Sequence, residues 1–406
     1  MSLNIRPIMS ALLRNRTGAM LVALQIALAL AILVNAAYVV KQRIDMLTAP
    51  TGVDDHNLFA IEFEGFTQHY NFDTSMKEDL AYLRGLDGVV SASASNNVPE
   101  SGSGSSFFFY KTPARRSADA VWGAVYEMDE HGLETLGTHL VAGRSFRKEE
   151  ILPPLTPENQ LRPVPTMLVT QAMAQALFPG GNALGKVTYD PLGRPVTIIG
   201  IVANMQGPYN HDPYHERVFF VPQLPRVFGL VYLVRTKPGQ RDKVMRIATA
   251  HLRSSSVDRV IEAARSVDTY KERSYQSDRI TAIVLTFVTC LLIAVAAFGI
   301  FGLATFNVST RTKQIGTRRA VGARKRDIIR HFLVENGLVT SAGILVGCAL
   351  ALGVGYGLSV QYDLPRLDLY YLVGGILVLW VIGQLAAWQP ARRAATVSPS
   401  VATRTA

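Results

Sequence analysis

Four stretches of this 406-residue chain hold no Asp, Glu, Lys or Arg, and they constrain its fold more than any other feature. They cover residues 17–40, 280–310, 336–362 and 369–391, that is 24, 31, 27 and 23 residues. Each exceeds the roughly 20 apolar residues that cross a hydrocarbon core about 30 Å thick. Only 18% of the chain is charged, against about 25% in soluble proteins. The reading is an integral membrane α-helical protein with four transmembrane helices, not a cytosolic enzyme. No charged group lies in the interior of a span, which argues against the ion path of a secondary transporter. In the third span, Gly343 with Gly347 and Gly353 with Gly357 repeat the spacing that lets a neighbouring helix approach closely. The second window would extend roughly 46 Å as a helix. Either it tilts strongly or one end projects outside as a stalk, and the helical residues 267–278, which run directly into it, favour the stalk.

The net charge of +10 reports topology. Residues 41–279 carry 26 basic and 27 acidic side chains, so the excess lies elsewhere. Arg6, Arg14 and Arg16 precede the first span, and Arg392, Arg393 and Arg404 follow the last. Residues 311–331 hold eight Lys and Arg against the single acid Asp327. Lys and Arg in short loops mark the cytoplasmic side. With four spans all three clusters fall on that side, so both termini are expected inside and no nucleic-acid partner is implied. The first window is longer than the 7–15 apolar residues of a signal peptide and reads as an anchor. Ile5, Ile8, Met9, Leu12 and Leu13 recur at helical spacing among arginines, suiting an amphipathic helix that lies in membrane lipid. The chain thus divides into a cytoplasmic N-terminal helix (1–16), spans at 17–43, 279–310, 332–360 and 369–390, and an extracytoplasmic domain (44–278). A cytoplasmic loop (311–331), a short outer loop (361–368) and a cytoplasmic tail (391–406) complete it.

The external domain reads as a large α/β domain of two subdomains. Strands are expected at 57–64, 89–95, 107–111, 121–127, 166–170, 196–202, 218–221, 230–236 and 259–264. Helices are expected at 73–86, capped by Asp73 or Thr74, and at 171–177 and 240–253. The Ser- and Gly-rich residues 96–106 read as a flexible loop. The first subdomain takes 44–118 and 226–268, the second is inserted at 119–225, and 269–278 form the stalk. Both cysteines, Cys290 and Cys348, fall in spans, so a core and not disulfides must hold the external domain.

Several motifs look chemical and fail on context. Gly180 to Lys186 matches a phosphate-binding GxxxxGK, but Val187 stands where Ser or Thr must reach magnesium, and the segment follows a helix instead of a strand. His211, Asp212, His215 and Glu216 offer metal-like donors, but Pro213 breaks the helix an i, i+4 pair requires. Gly102-Ser103-Gly104 lacks the strand-turn-helix setting of a nucleophile elbow. No metal site and no catalytic constellation is expected.

The inner loop is the most informative stretch. From Arg311 through Gln314, Ile315, Gly316, Arg319, Ala320, Gly322 and Ala323 to Ile329 it alternates small residues with a basic face. This pattern resembles the coupling-helix region of the MacB/LolC/LolE/FtsX-like ABC transporter permeases, approximately R-T-x-E-I-G-x-R-x-A-x-G-A, with Gln314 where Glu is usual. Further residues are similar to that family: Gly143-Arg144-Ser145-Phe146, Leu177-Phe178-Pro179-Gly180, Ile198-Ile199-Gly200-Ile201-Val202, Phe332-Leu333-Val334-Glu335, and Pro390 to Ala395 with Pro399. Ser398, where Asp usually precedes the proline, and the Pro-rich residues 152–165 depart from it.

The resemblance implies a MacB-like periplasmic core domain and a non-catalytic permease subunit in a bacterial inner membrane. ATP and Mg would be bound by a separate ABC ATPase dimer, with no cofactor in this chain. Gln314, Ile315, Gly316, Arg319, Ala320, Gly322 and Ala323 would couple to that ATPase. A second permease copy or a paralogous permease would complete the dimer, with a periplasmic adaptor as a further partner. The implied work is mechanotransmission: export or extraction of amphipathic molecules such as antibiotics, peptides or lipoproteins. The alternative is an FtsX-like signalling subunit that controls a cell-wall hydrolase or sensor.

Overall fold

The computed structural model describes residues 16–48, 50–65, 71–154, 162–209, 214–225, 230–362 and 367–398. The expected N-terminal amphipathic helix, residues 155–161 of the Pro-rich insert, His211, Asp212 and Pro213, and Pro399 lie outside them. The chain forms two compact units, one of residues 1–47 with 278–406 and one of residues 48–277.

In the second unit, a four-stranded antiparallel sheet has the order β11 (Arg259–Ser266), β1 (Leu58–Gly65), β10 (Val231–Thr236), β2 (Val89–Ser95). Alternation along β1 sends Phe59, Ile61 and Phe63 to one face. There they meet Met76, Leu80 and Leu83 of α2 (Phe72–Gly85) and Val244, Ala248 and Leu252 of α5 (Arg241–Ser254). Leu58 and Ala60 point the other way, joining Val231 and Leu233 of β10 against Tyr126, Met128 and Phe220. A strand buried on both faces is continuously apolar for this reason, and each buried large side chain contributes roughly 1.5–3 kcal/mol. The α2 cap is Asn71, whose Oδ1 accepts the Thr74 amide at 3.2 Å, and not Asp73 or Thr74. An ion pair between Asp79 of α2 and Arg259 of β11 is buried here, with the Tyr232 hydroxyl donating to Asp79 at 2.8 Å.

The second sheet has seven strands: β5 (Leu140–Gly143), β8 (Pro195–Val202), β6 (Thr166–Thr170), β9 (Val218–Pro222), β4 (Ala120–Met128), β3 (Ser106–Tyr110) and β7 (Val187–Tyr189). β7 pairs with β8 as well as β3, closing six strands into a ring with β5 outside it. Phe109, Val121, Met167, Val169, Ile198 and Phe219 fill the interior with Met173 and Leu177 of α4 (Gln171–Leu177). The sequence reading missed β5, β7 and the short α3 (Gly132–Leu136).

Two expectations are corrected. Residues 96–106 do not form a loose loop. The Asn97 amide donates to the Val125 carbonyl at 2.7 Å and accepts from the Ser105 amide at 2.7 Å, while the Glu100 amide bonds the Gly207 carbonyl at 3.0 Å. A Cβ on Gly104 would lie 2.3 Å from Asn97 Oδ1, so only glycine lets the segment fold back this tightly. The stalk is not one continuous helix either. α6 (Val267–Ser274) ends at Tyr275, and α7 (Gln276–Thr310) starts afresh.

The first unit holds four helices long and apolar enough to cross a bilayer: α1 (Arg16–Thr48), α7, α9 (Lys325–Tyr362) and α10 (Leu369–Thr396). Ile26, Leu30 and Val34 of α1 centre their shared core, with Ile300, Val339, Ile344 and Leu379. A Cβ on Gly343 would stand 2.7 Å from the Ala23 carbonyl oxygen, and one on Gly347 3.0 Å from Ala27 Cα, so these glycines let α9 press against α1. Gly353 and Gly357 face open space.

Candidate functional site

α7 ends at Thr310, a short helix α8 (Thr312–Ala320) turns off it, and a four-residue turn leads into α9. Gly322 takes φ +101°, a conformation that L side chains rarely adopt, and stops α8. The Asp327 carboxylate accepts the Arg324 amide at 3.1 Å, capping the first turn of α9.

One face of α8 is anchored. Ile315 is buried with Ile328 and Phe332 of α9 and Ala391, Ala394 and Ala395 of α10, and Ala323 packs at the edge of the same cluster. Gly316 is buried too. Arg319 donates to the Val397 carbonyl at the end of α10. Arg311, which precedes α8, sends Nη1 to both carboxylate oxygens of Glu335 at 3.0 Å, and that carboxylate is almost wholly buried. A short polar helix that could not hold its shape alone is therefore fixed to three long helices.

The other face is open. Gln314, Ala320 and Gly322 are exposed, as are Arg318, Arg324, Lys325 and Arg326. At the tip sits Val321, 84% exposed, an apolar side chain in a basic setting that the sequence reading passed over. The small residues at helical spacing, Gly316, Ala320 and Ala323, thus divide: Gly316 and Ala323 serve packing within the chain, while Ala320, like Gly322 beyond it, is exposed.

The motifs set aside in the sequence have structural explanations. Lys186 folds back onto its own loop, 3.3 Å from the Gly181 carbonyl and over the Phe178 ring at 4.7 Å. Glu216 accepts from Asn204 at 3.2 Å. Among the described residues, Asp55, His56 and Asp268 bring three ligand-type atoms within 4.8 Å. Arg241 already donates to Asp268 at 2.7 Å, so a guanidinium takes the place a cation would need.

Residues 286–399 match the family described as FtsX-like permease C-terminal. The macrolide export ATP-binding/permease protein MacB of Chromobacterium violaceum is 27% identical over 269 residues, which is 65% of this chain and 40% of that protein. The uncharacterized ABC transporter permease YknZ of Bacillus subtilis is 23% identical over 355 residues, 82% of this chain and 79% of that one. The chain spans about two fifths of the length of the MacB relatives it matches. Among solved structures, the periplasmic region of MacB from Actinobacillus actinomycetemcomitans covers 56% of this chain and 97% of its own, at 15% identity and a TM-score of 0.34. Residues 286–399, which run through α7 to α10, thus carry an FtsX-like permease C-terminal domain, and the chain is similar to MacB- and YknZ-type ABC transporter permeases.

Proposed function

We propose that this chain is a non-catalytic permease subunit, whose α8 and following turn dock a separate ABC ATPase dimer that binds ATP and Mg. Both termini and the α8 turn face the cytoplasm of a bacterial inner membrane, and residues 48–277 face the periplasm. A second permease, identical or paralogous, completes the assembly. Closure of the ATPases moves the external domain, which acts on an amphipathic molecule. The observation that carries this reading is the shape of the α8 turn. One face is locked to α9 and α10, while Ala320, Val321 and Gly322 are presented to solvent among exposed basic residues.

Because Gly316 is buried, replacing it would damage the permease itself and test nothing about docking. Ala320→Trp is the informative change. Overpacking a close contact costs about 1–3 kcal/mol, which is about a 5- to 150-fold loss of ATPase affinity. Arg324→Ala should do less, since exposed ion pairs contribute under about 1 kcal/mol. Co-purification of the ATPase and ATP turnover in nanodiscs would measure both. Full binding by Ala320→Trp together with loss in Arg324→Ala would mean an electrostatic anchor and not a docking surface.

A further inference from the structure

A groove of about 830 Å³ runs between α9 and α10. Its wall on α9 extends from Arg326 to Ser341, sixteen residues that rise roughly 22 Å along the helix. Its floor is set where Asn336 donates to the Gly383 carbonyl at 3.0 Å and where a Cβ on Gly337 would come within 3.2 Å of Gln384. Leu333 lines the middle, and Trp388 and Trp380, each nearly half exposed, stand at two depths along α10. The surface is mostly apolar, with Gln384 and Ser341 as its neutral polar side chains and with Arg326 and Arg330 opening onto one end. Both are exposed, and neither has an acidic partner among the described residues. Asp327, between them in sequence, is engaged in capping Arg324.

We propose that this groove holds an anionic phospholipid, its phosphate on Arg326 and Arg330 and an acyl chain along Leu333, Trp388 and Trp380. Charge complementarity selects the headgroup: two guanidiniums at one end of a membrane-embedded apolar groove are the arrangement that recognises acidic lipid. The site is separate from the exposed tip at Val321, and the inference does not depend on an ATPase.

The test uses the full chain with Trp122→Phe and Trp380→Phe, which leaves Trp388 as its one tryptophan, in nanodiscs. Quenching of Trp388 by brominated phosphatidylglycerol is compared with quenching by brominated phosphatidylcholine. The expected preference for the anionic lipid is about 30-fold, roughly fivefold from each guanidinium. It should fall to near 1 in Arg326→Gln/Arg330→Gln, and refilling the floor with Gly337→Met should abolish the preference while both arginines remain. Equal quenching by the two lipids, or a preference that survives the double arginine change, would overturn the assignment. So would a Trp388 that neither lipid quenches, because the groove would then be covered by protein.

Discussion

The pair of Arg311 and Glu335 joins the start of α8 to α9 and makes a quantitative claim about how firmly the α8 turn is held. Glu335 is only 5% exposed at its side chain and takes both contacts from Arg311 Nη1 at 3.0 Å, while Arg311 is 20% exposed. Removing one member of a buried pair costs about 3–5 kcal/mol. Water can still reach part of the guanidinium, so Glu335→Ala is expected to cost about 2–3 kcal/mol. Arg311→Ala should cost a similar amount, and the double variant much less than the sum, with a coupling energy of about 2 kcal/mol. Glu335→Gln keeps the shape but removes the charge and should fall between. The assay is reversible unfolding in mixed micelles of rising dodecyl sulfate content, followed by circular dichroism for the four variants. A coupling energy below about 0.5 kcal/mol would equal that of an exposed pair, and the idea that this contact fixes α8 would be refuted.

Burial pushes the Glu100 carboxyl up to about 7, with Lys271, 3.4 Å away, pulling it down. The folded pKa lies above the usual 4.5, so the folded state holds a proton that the unfolded chain releases. Stability of the unit formed by residues 48–277 should therefore be full below about pH 4.5 and fall by about 3 kcal/mol as pH rises to about 7. Thermal unfolding at pH 5 and 8 checks this, and Glu100→Gln should flatten the dependence. Asp79→Ala would leave Arg259, 1% exposed at its side chain, without its partner, and should cost about 3–5 kcal/mol, read as a lowered unfolding midpoint. Gly347→Leu should break the packing of α9 on α1 and lower the yield of folded protein, whereas Gly357→Leu, facing open space, should not.

Much of the fold was legible because the physics acting on it is local. Uncharged runs mark the four long helices, alternation marks β1, and short apolar runs mark β6 and β10. The failures share a different cause. β7 is three residues long and exists because the ring closes through it, a pairing that brings Val187 to Thr197 and Tyr189 to Tyr110 and that no window of sequence contains. Residues 96–106 look like linker by composition, yet one buried amide, Asn97, organises them through partners up to 28 residues away. The stalk was read as continuous because nothing in the composition near Tyr275 interrupts a helix. At the candidate site, the basic charge and small residues of the α8 region were readable, but which side they face was not. That division is made by Ile315 meeting alanines of α10 nearly 80 residues later. Val321 escaped notice because a lone valine in a basic loop has no periodic signature.

Photo-crosslinking from position 321 in intact cells, with a benzophenone amino acid replacing Val321, tests the central claim most directly. An adduct with an ATP-binding protein is expected from position 321 and not from Leu345, which is exposed on α9. An adduct from 345 but not 321, or labelling of position 321 by a membrane-impermeant reagent added outside the cell, would contradict the account.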